Sequence, residues 1–137
     1  MKAETFADYI LSEKDWIKKM EIVFYLQKRA GIFYDNSVVF KTLLTKLFID
    51  RYDLEIDKNE VITASLLWSC KKEHTSKDIE KIHSFAKEGA EFLRQLGFSD
   101  RFCRICEGVN RYSGLEPREK ESDILELTDQ FGGMLLS

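Results

Sequence analysis

From Val61 to Cys70 the chain reads Val-Ile-Thr-Ala-Ser-Leu-Leu-Trp-Ser-Cys, with no charge, glycine or proline. Charged residues make up 33% of the whole chain, so a stretch this apolar has to be covered by the rest of the fold. At helical spacing Ile62, Leu66 and Cys70 form one stripe, and Ala64, Leu67 and Trp68 widen it beyond a third of the circumference. The pattern predicts one buried helix over residues 61–72, ended by Lys71 and Lys72. The other segments must wrap around it.

Those segments also carry helical spacing, and none shows sustained strand alternation. A short helix is predicted over 3–12. A longer one follows over 13–30, opened by Ser12 and Asp15 as a capping-box variant and stopped by Gly31, with Trp16, Ile17, Met20, Val23, Phe24 and Leu26 inward. Asn36 or Ser37 caps a third helix to Arg51, with Val39, Phe40, Leu43, Leu44, Leu47 and Phe48 inward. Asp57 caps the central helix. After a turn at Glu73-His74-Thr75, Thr75 or Ser76 opens a helix that Gly97 ends. Ser99 caps a shorter one through Cys106, and the last runs over 118–136 with Ile124, Leu125, Leu127, Phe131, Met134 and Leu135 inward. One proline, Pro117, and no low-complexity linker favour a single all-α unit of six or seven helices across residues 1–137.

A net charge of −3 gives no electrostatic reason to expect nucleic acid or an anionic membrane surface as partner. No apolar run approaches the roughly 20 residues of a membrane span, and the first residues lack a signal-peptide core, so a cytoplasmic protein is expected. Three cysteines do not suggest a disulfide framework. Cys103 and Cys106 form a Cys-x-x-Cys pair whose plain reading is two small hydrophobes on one helical face. A zinc site would need two further ligands, and Cys70, His74 and His83 are the remaining Cys or His candidates.

Four blocks line up, in order, with a known pattern. Residues 64–72, Ala-Ser-Leu-Leu-Trp-Ser-Cys-Lys-Lys, resemble the Ala-Ala-Leu-Leu-His-Asp-Ile-Gly-Lys signature of HD-domain metal-dependent phosphohydrolases. Gly89-Ala90-Glu91-Phe92-Leu93 resembles the Gly-Ala-Glu-Ile-Leu of the HD-GYP branch, the cyclic di-GMP phosphodiesterases. Residues 108–114, Gly-Val-Asn-Arg-Tyr-Ser-Gly, resemble that branch's His-His-Glu-Arg-Tyr-Asp-Gly loop. Residues 123–135 resemble the family's last metal helix, Ile-Leu-x-x-x-Asp-x-Phe-Asp-Ala-Leu. The resemblance spans residues 37–135 and leaves 1–36 outside it. It implies an HD-like bundle.

The same alignment implies a damaged metal site. The family's first histidine falls near Ser37, its histidine–aspartate pair on Trp68 and Ser69, its next histidine on Phe85, and its loop histidines on Gly108 and Val109. Asp129 is the one metal ligand retained. Lys72 matches the family's phosphate-facing lysine, and Arg111 matches its loop arginine, so these two are the candidate anion-binding residues. A catalytic metal needs about three protein ligands with lone pairs. Trp68 offers an N–H donor instead, and Phe85 and Val109 offer nothing. An indole in place of an imidazole would also fill the metal space, so the former cavity is expected to have become core.

The resemblance therefore implies a catalytically inactive HD-GYP-like domain without metal or other cofactor, acting through a protein partner or a second copy. The N-terminal helices, outside the resemblance, are the expected partner surface. Two alternatives stand beside it. One is a phosphohydrolase with a rearranged site drawn from His74, His83, Glu107, Asp123 and Asp129. The other is a non-catalytic nucleotide sensor using Lys72 and Arg111 as phosphate contacts for a cyclic dinucleotide.

Overall fold

The computed structural model of the chain describes residues 5–73 and 79–137, with side chains from 84 onward in the second stretch. Seven helices follow one another: α1 (Phe6–Ser12), α2 (Trp16–Ala30), α3 (Asn36–Tyr52), α4 (Lys58–Leu67), α5 (Ile79–Gln95), α6 (Asp100–Gly108) and α7 (Lys120–Leu136). A 3-10 turn at Arg111–Ser113 joins α6 to α7, and the described residues contain no strand. The expected all-α bundle is what the chain forms. No described helix is long and apolar enough to cross a membrane.

Every residue from Val61 to Cys70 is buried. Neighbours α1, α2, α3, α6 and α7 all pack on α4. The predicted helix over 61–72 is nevertheless shorter than expected. It starts at Lys58, on the Asp57 cap, and ends at Leu67. Beyond that the backbone tightens: Cys70 N–H bonds the Leu67 carbonyl and Lys72 N–H the Ser69 carbonyl. Phe33 N–H, in the turn after α2, takes the Cys70 carbonyl at 2.8 Å. A long-range bond thus supplies the acceptor's partner, which local periodicity does not reveal. Trp68, Ser69 and Lys72 sit on this turn, not on a helix.

Other helix limits follow the sequence signals closely. Gly31 and Gly97 close α2 and α5 at positive φ of 68° and 97°, where a residue without a Cβ is favoured. Ser99 caps α6 through the Phe102 N–H. Two caps differ: Asp15 alone opens α2, and Asp35, whose carboxylate accepts from Val38 N–H, opens α3. The Ser12 hydroxyl instead donates to the Tyr9 carbonyl. The turn at 74–75, the Thr75 or Ser76 cap and residues 3–4 lie outside the described residues.

Three inward faces need correction. On α3 the buried residues are Val38, Thr42, Thr45 and Ile49, whereas Leu47 is 55% exposed. The threonines face the core because they pair: Thr42 Oγ1 lies 2.8 Å from Ser65 Oγ on α4, and Thr45 Oγ1 2.8 Å from Thr128 Oγ1 on α7. Small, mutually satisfied hydroxyls let the helices approach closely at little desolvation cost. On α7 the inward side is Glu121, Ser122, Leu125, Thr128 and Gly132, leaving Leu127, Phe131, Met134 and Leu135 exposed. On α2 it is Lys19, Val23 and Leu26, with Ile17 and Phe24 exposed.

Candidate functional site

Several separate stretches of the chain meet around one cavity of about 500 Å³. Its walls are the start of α3 (Ser37, Val38, Lys41), the turn after α4 (Trp68, Ser69, Lys72), Phe85 on α5, and the segment from Val109 to Tyr112. One side of α7, with Glu126, Asp129 and Gln130, closes it. All five positions singled out in the sequence, Trp68, Ser69, Lys72, Arg111 and Asp129, therefore line a single space. Of the other positions that the resemblance aligns with histidines, Ser37, Phe85 and Val109 line it too and Gly108 does not.

The expectation that this space had become core is corrected. The Trp68 indole is buried, but it lies back against the Phe85 ring, with centroids 5.5 Å apart and planes at 32°. Leaning on Phe85 leaves the cavity open beside it. Gly89 contributes to that placement: a Cβ there would stand 3.2 Å from the Trp68 carbonyl oxygen, so its absence lets α5 close on the turn.

The charges on the wall are paired across helices. Asp129, on α7, receives Lys41 Nζ of α3 at 2.8 Å. The close approach of these helices at Gly132, where a Cβ would meet Lys41 Cγ at 2.6 Å, brings the two together. Arg111 Nε holds Glu126 Oε1 at 2.9 Å, and Arg118 Nη2 reaches the same oxygen at 3.6 Å. Arg118 also donates twice to the Gly108 carbonyl, fixing the loop before the 3-10 turn. Lys72 is solvent-exposed, with Nζ 5.4 Å from the Phe33 ring centre. Ser69 is buried.

This donor set does not fit a divalent metal. Both carboxylates of the wall are already neutralised, Asp129 by the Lys41 ammonium and Glu126 by Arg111 and Arg118, and an indole, a phenyl ring and an isopropyl group stand beside them. Among the described residues no group of three or more His, Cys, Asp or Glu could hold an ion. For the rearranged alternative, Asp123 points to Arg118 in an ion pair outside the cavity wall. Glu107 is also absent from that wall. His74 lies outside the described residues, as does the side chain of His83.

The cysteines contribute no ligand set either. Cys70, Cys103 and Cys106 are free and buried. Burial pushes the Cys70 thiol up to about 12 and the Cys103 thiol up to about 11, and Cys106 also stands well above the ordinary value. Raised thiol pKa values oppose the thiolate that metal binding or redox chemistry requires.

Sequence reasoning missed Lys41 and the Glu126 partnership of Arg111. Lys41 sits on a helix whose inward face was misread, so nothing local aimed it at the cavity. What the wall can do chemically is hold a ligand: cations at Lys41, Lys72 and Arg111, hydroxyl and amide groups, and aromatic faces at Phe33 and Trp68. The chain matches no family model, no curated protein and no solved structure.

Proposed function

We propose that this chain is a catalytically silent, HD-GYP-like module that works by binding and without a metal. The observation that carries the reading is the 2.8 Å contact between Lys41 Nζ and Asp129 Oδ1. A lysine ammonium holds the last carboxylate of the family's metal set, in a wall whose other carboxylate, Glu126, is held by Arg111 and Arg118. Without the metal there is no source of a water with near-neutral pKa, and no described side chain of the wall stands ready to replace it.

Binding to protein is the form of action the surface supports. Leu47, Leu127 and Phe131 flank an apolar groove between α3 and α7, and Met134 and Leu135 continue the exposed face. An apolar patch of this kind, rimmed by polar residues, is typical of interaction sites. Metal analysis of the purified chain, with an assay of cyclic di-GMP hydrolysis, tests the silent reading. Substoichiometric metal and no turnover agree with it; stoichiometric iron, manganese or zinc with turnover refutes it.

A second reading, a nucleotide sensor, is favoured by the persistence of the cavity itself. Lys72 and Arg111 stand at its edge beside the Phe33 and Trp68 rings, a combination suited to phosphate and base. Calorimetry with cyclic dinucleotides separates the two: saturable binding lost in Arg111→Ala supports the sensor, and no heat supports action through protein contacts alone.

A further inference from the structure

A second cavity, of about 300 Å³, shares no residue with the first. Lys14, Trp16, Lys19, Lys46, Lys58 and Asn59 line it, where the start of α2 and the start of α4 face α3. Every charged side chain on its wall is a cation, in a chain whose net charge is −3.

Lys19 is the anomaly of the fold. It is 1% exposed, and lysines are almost never buried to this degree. Its Nζ donates to the Ile10 carbonyl at 2.6 Å and to Thr63 Oγ1 at 2.8 Å. An ammonium has three N–H groups, and the third has no acceptor among the described residues. Lys46 and Lys58 share the carboxylate of Asp50. Lys14 makes no ion pair among the described residues. Carboxylates do act from nearby: Glu13 and Asp57 exert a field on Lys19, and Asp15 and Asp57 accept cap hydrogen bonds from Ile17 and Glu60 N–H. None of these acids lines the cavity.

Asn59 supplies the opposite functionality. Its Nδ2 donates to the Leu11 carbonyl at 2.6 Å, while its Oδ1 is buried with no partner. Unsatisfied buried acceptors are uncommon and costly. The wall therefore carries several donors and one buried acceptor without a partner.

We propose that this cavity binds inorganic phosphate as its monohydrogen dianion. The lysine ammoniums donate to the three bare oxygens, and the single P–OH donates to Asn59 Oδ1. The volume lies at the small end of ligand pockets, which run from about 300 to 1,000 Å³, and suits a tetrahedral oxyanion. Sulfate and the dianion of a phosphate monoester carry no O–H at neutral pH, so both leave Asn59 Oδ1 unsatisfied.

The test is calorimetric titration of the full chain with inorganic phosphate, sulfate and methyl phosphate at one ionic strength, with tryptophan emission followed in parallel. Phosphate is expected to saturate the site and shift the emission, a shift that Trp16→Phe removes. Sulfate and methyl phosphate bind about tenfold more weakly, and the Lys14→Gln/Lys58→Gln double variant weakens phosphate by about tenfold. Both of those lysines are exposed, so the double variant keeps its circular dichroism, whereas Lys19→Met acts on the fold as well. Absence of saturable phosphate binding overturns the proposal. So does equal affinity for sulfate or methyl phosphate, or phosphate bound unchanged by the double variant.

Discussion

Lys19 is the residue whose environment makes the clearest solution prediction. Burial disfavours its ammonium and holds the group at about 8, against an ordinary 10.5. Between those values the unfolded chain keeps a proton that the folded chain has released, so stability rises with pH across that window. The buried thiols of Cys70 and Cys103 act the other way from their ordinary 9 upward, because the folded chain then keeps protons the unfolded chain loses. Urea melts of wild type and Lys19→Met, compared at each pH in phosphate-free buffer, cancel the thiol contribution. The wild type should gain on the variant as pH climbs from about 8 towards 10.5; a difference independent of pH would mean that Lys19 is as basic in the folded chain as in the unfolded one. The same thiols are predicted to resist alkylation by iodoacetamide at neutral pH until denaturant is added, as mass spectrometry of the intact chain would register. Neither result follows from the sequence, where Lys19 reads as a polar position between Trp16 and Met20 and the Cys-x-x-Cys pair leaves zinc open.

At the level of helices, capping chemistry and apolar spacing account for most of the limits, and side-chain pairing accounts for most of the errors. Gly31, Asp57, Gly97 and Ser99 act as their residue types dictate. The misread faces of α3 and α7 share one physical cause. A helix buries whichever side lets a neighbour come close, and here that side carries Thr42, Thr45, Thr128 and Gly132, which single-chain hydropathy scores as outward. The large apolar residues left over, Leu47 and Phe131 among them, then form a surface. Close approach also governs α6 and α7. A Cβ on Gly108 would stand 2.8 Å from the Ser122 hydroxyl, which is wholly buried and donates to the Ile105 carbonyl at 2.7 Å. Gly108→Ala should destabilise the chain by about 1–3 kcal/mol in denaturant melts, and Ser122→Ala in the same chain should recover part of that loss. An unchanged melt would show that the α6–α7 contact gives way freely.

Across the whole molecule, one contiguous core draws on all seven helices, from Ala7 and Ile10 of α1 to Leu125 of α7. Residues 5–36, from the stretch outside the HD-GYP resemblance, are thus packed into the same body: Phe6 meets Phe98 edge-on, and Ala7 N–H bonds the Leu96 carbonyl. The candidate cavity was legible in the sequence as a set of positions, since Trp68, Ser69, Lys72, Arg111 and Asp129 do converge. Its openness was not, because indole volume alone does not say which way the ring leans, and the Phe85 contact decides that. Lys41 was not legible either, as its role depends on how closely α3 meets α7. The central claim is that a lysine ammonium stands in place of a cation at Asp129. Electron paramagnetic resonance of manganese titrated into the full chain tests it directly. The account predicts that the free-ion signal stays undiminished and that Asp129→Ala behaves identically. Stoichiometric loss of that signal, abolished by Asp129→Ala, would contradict it.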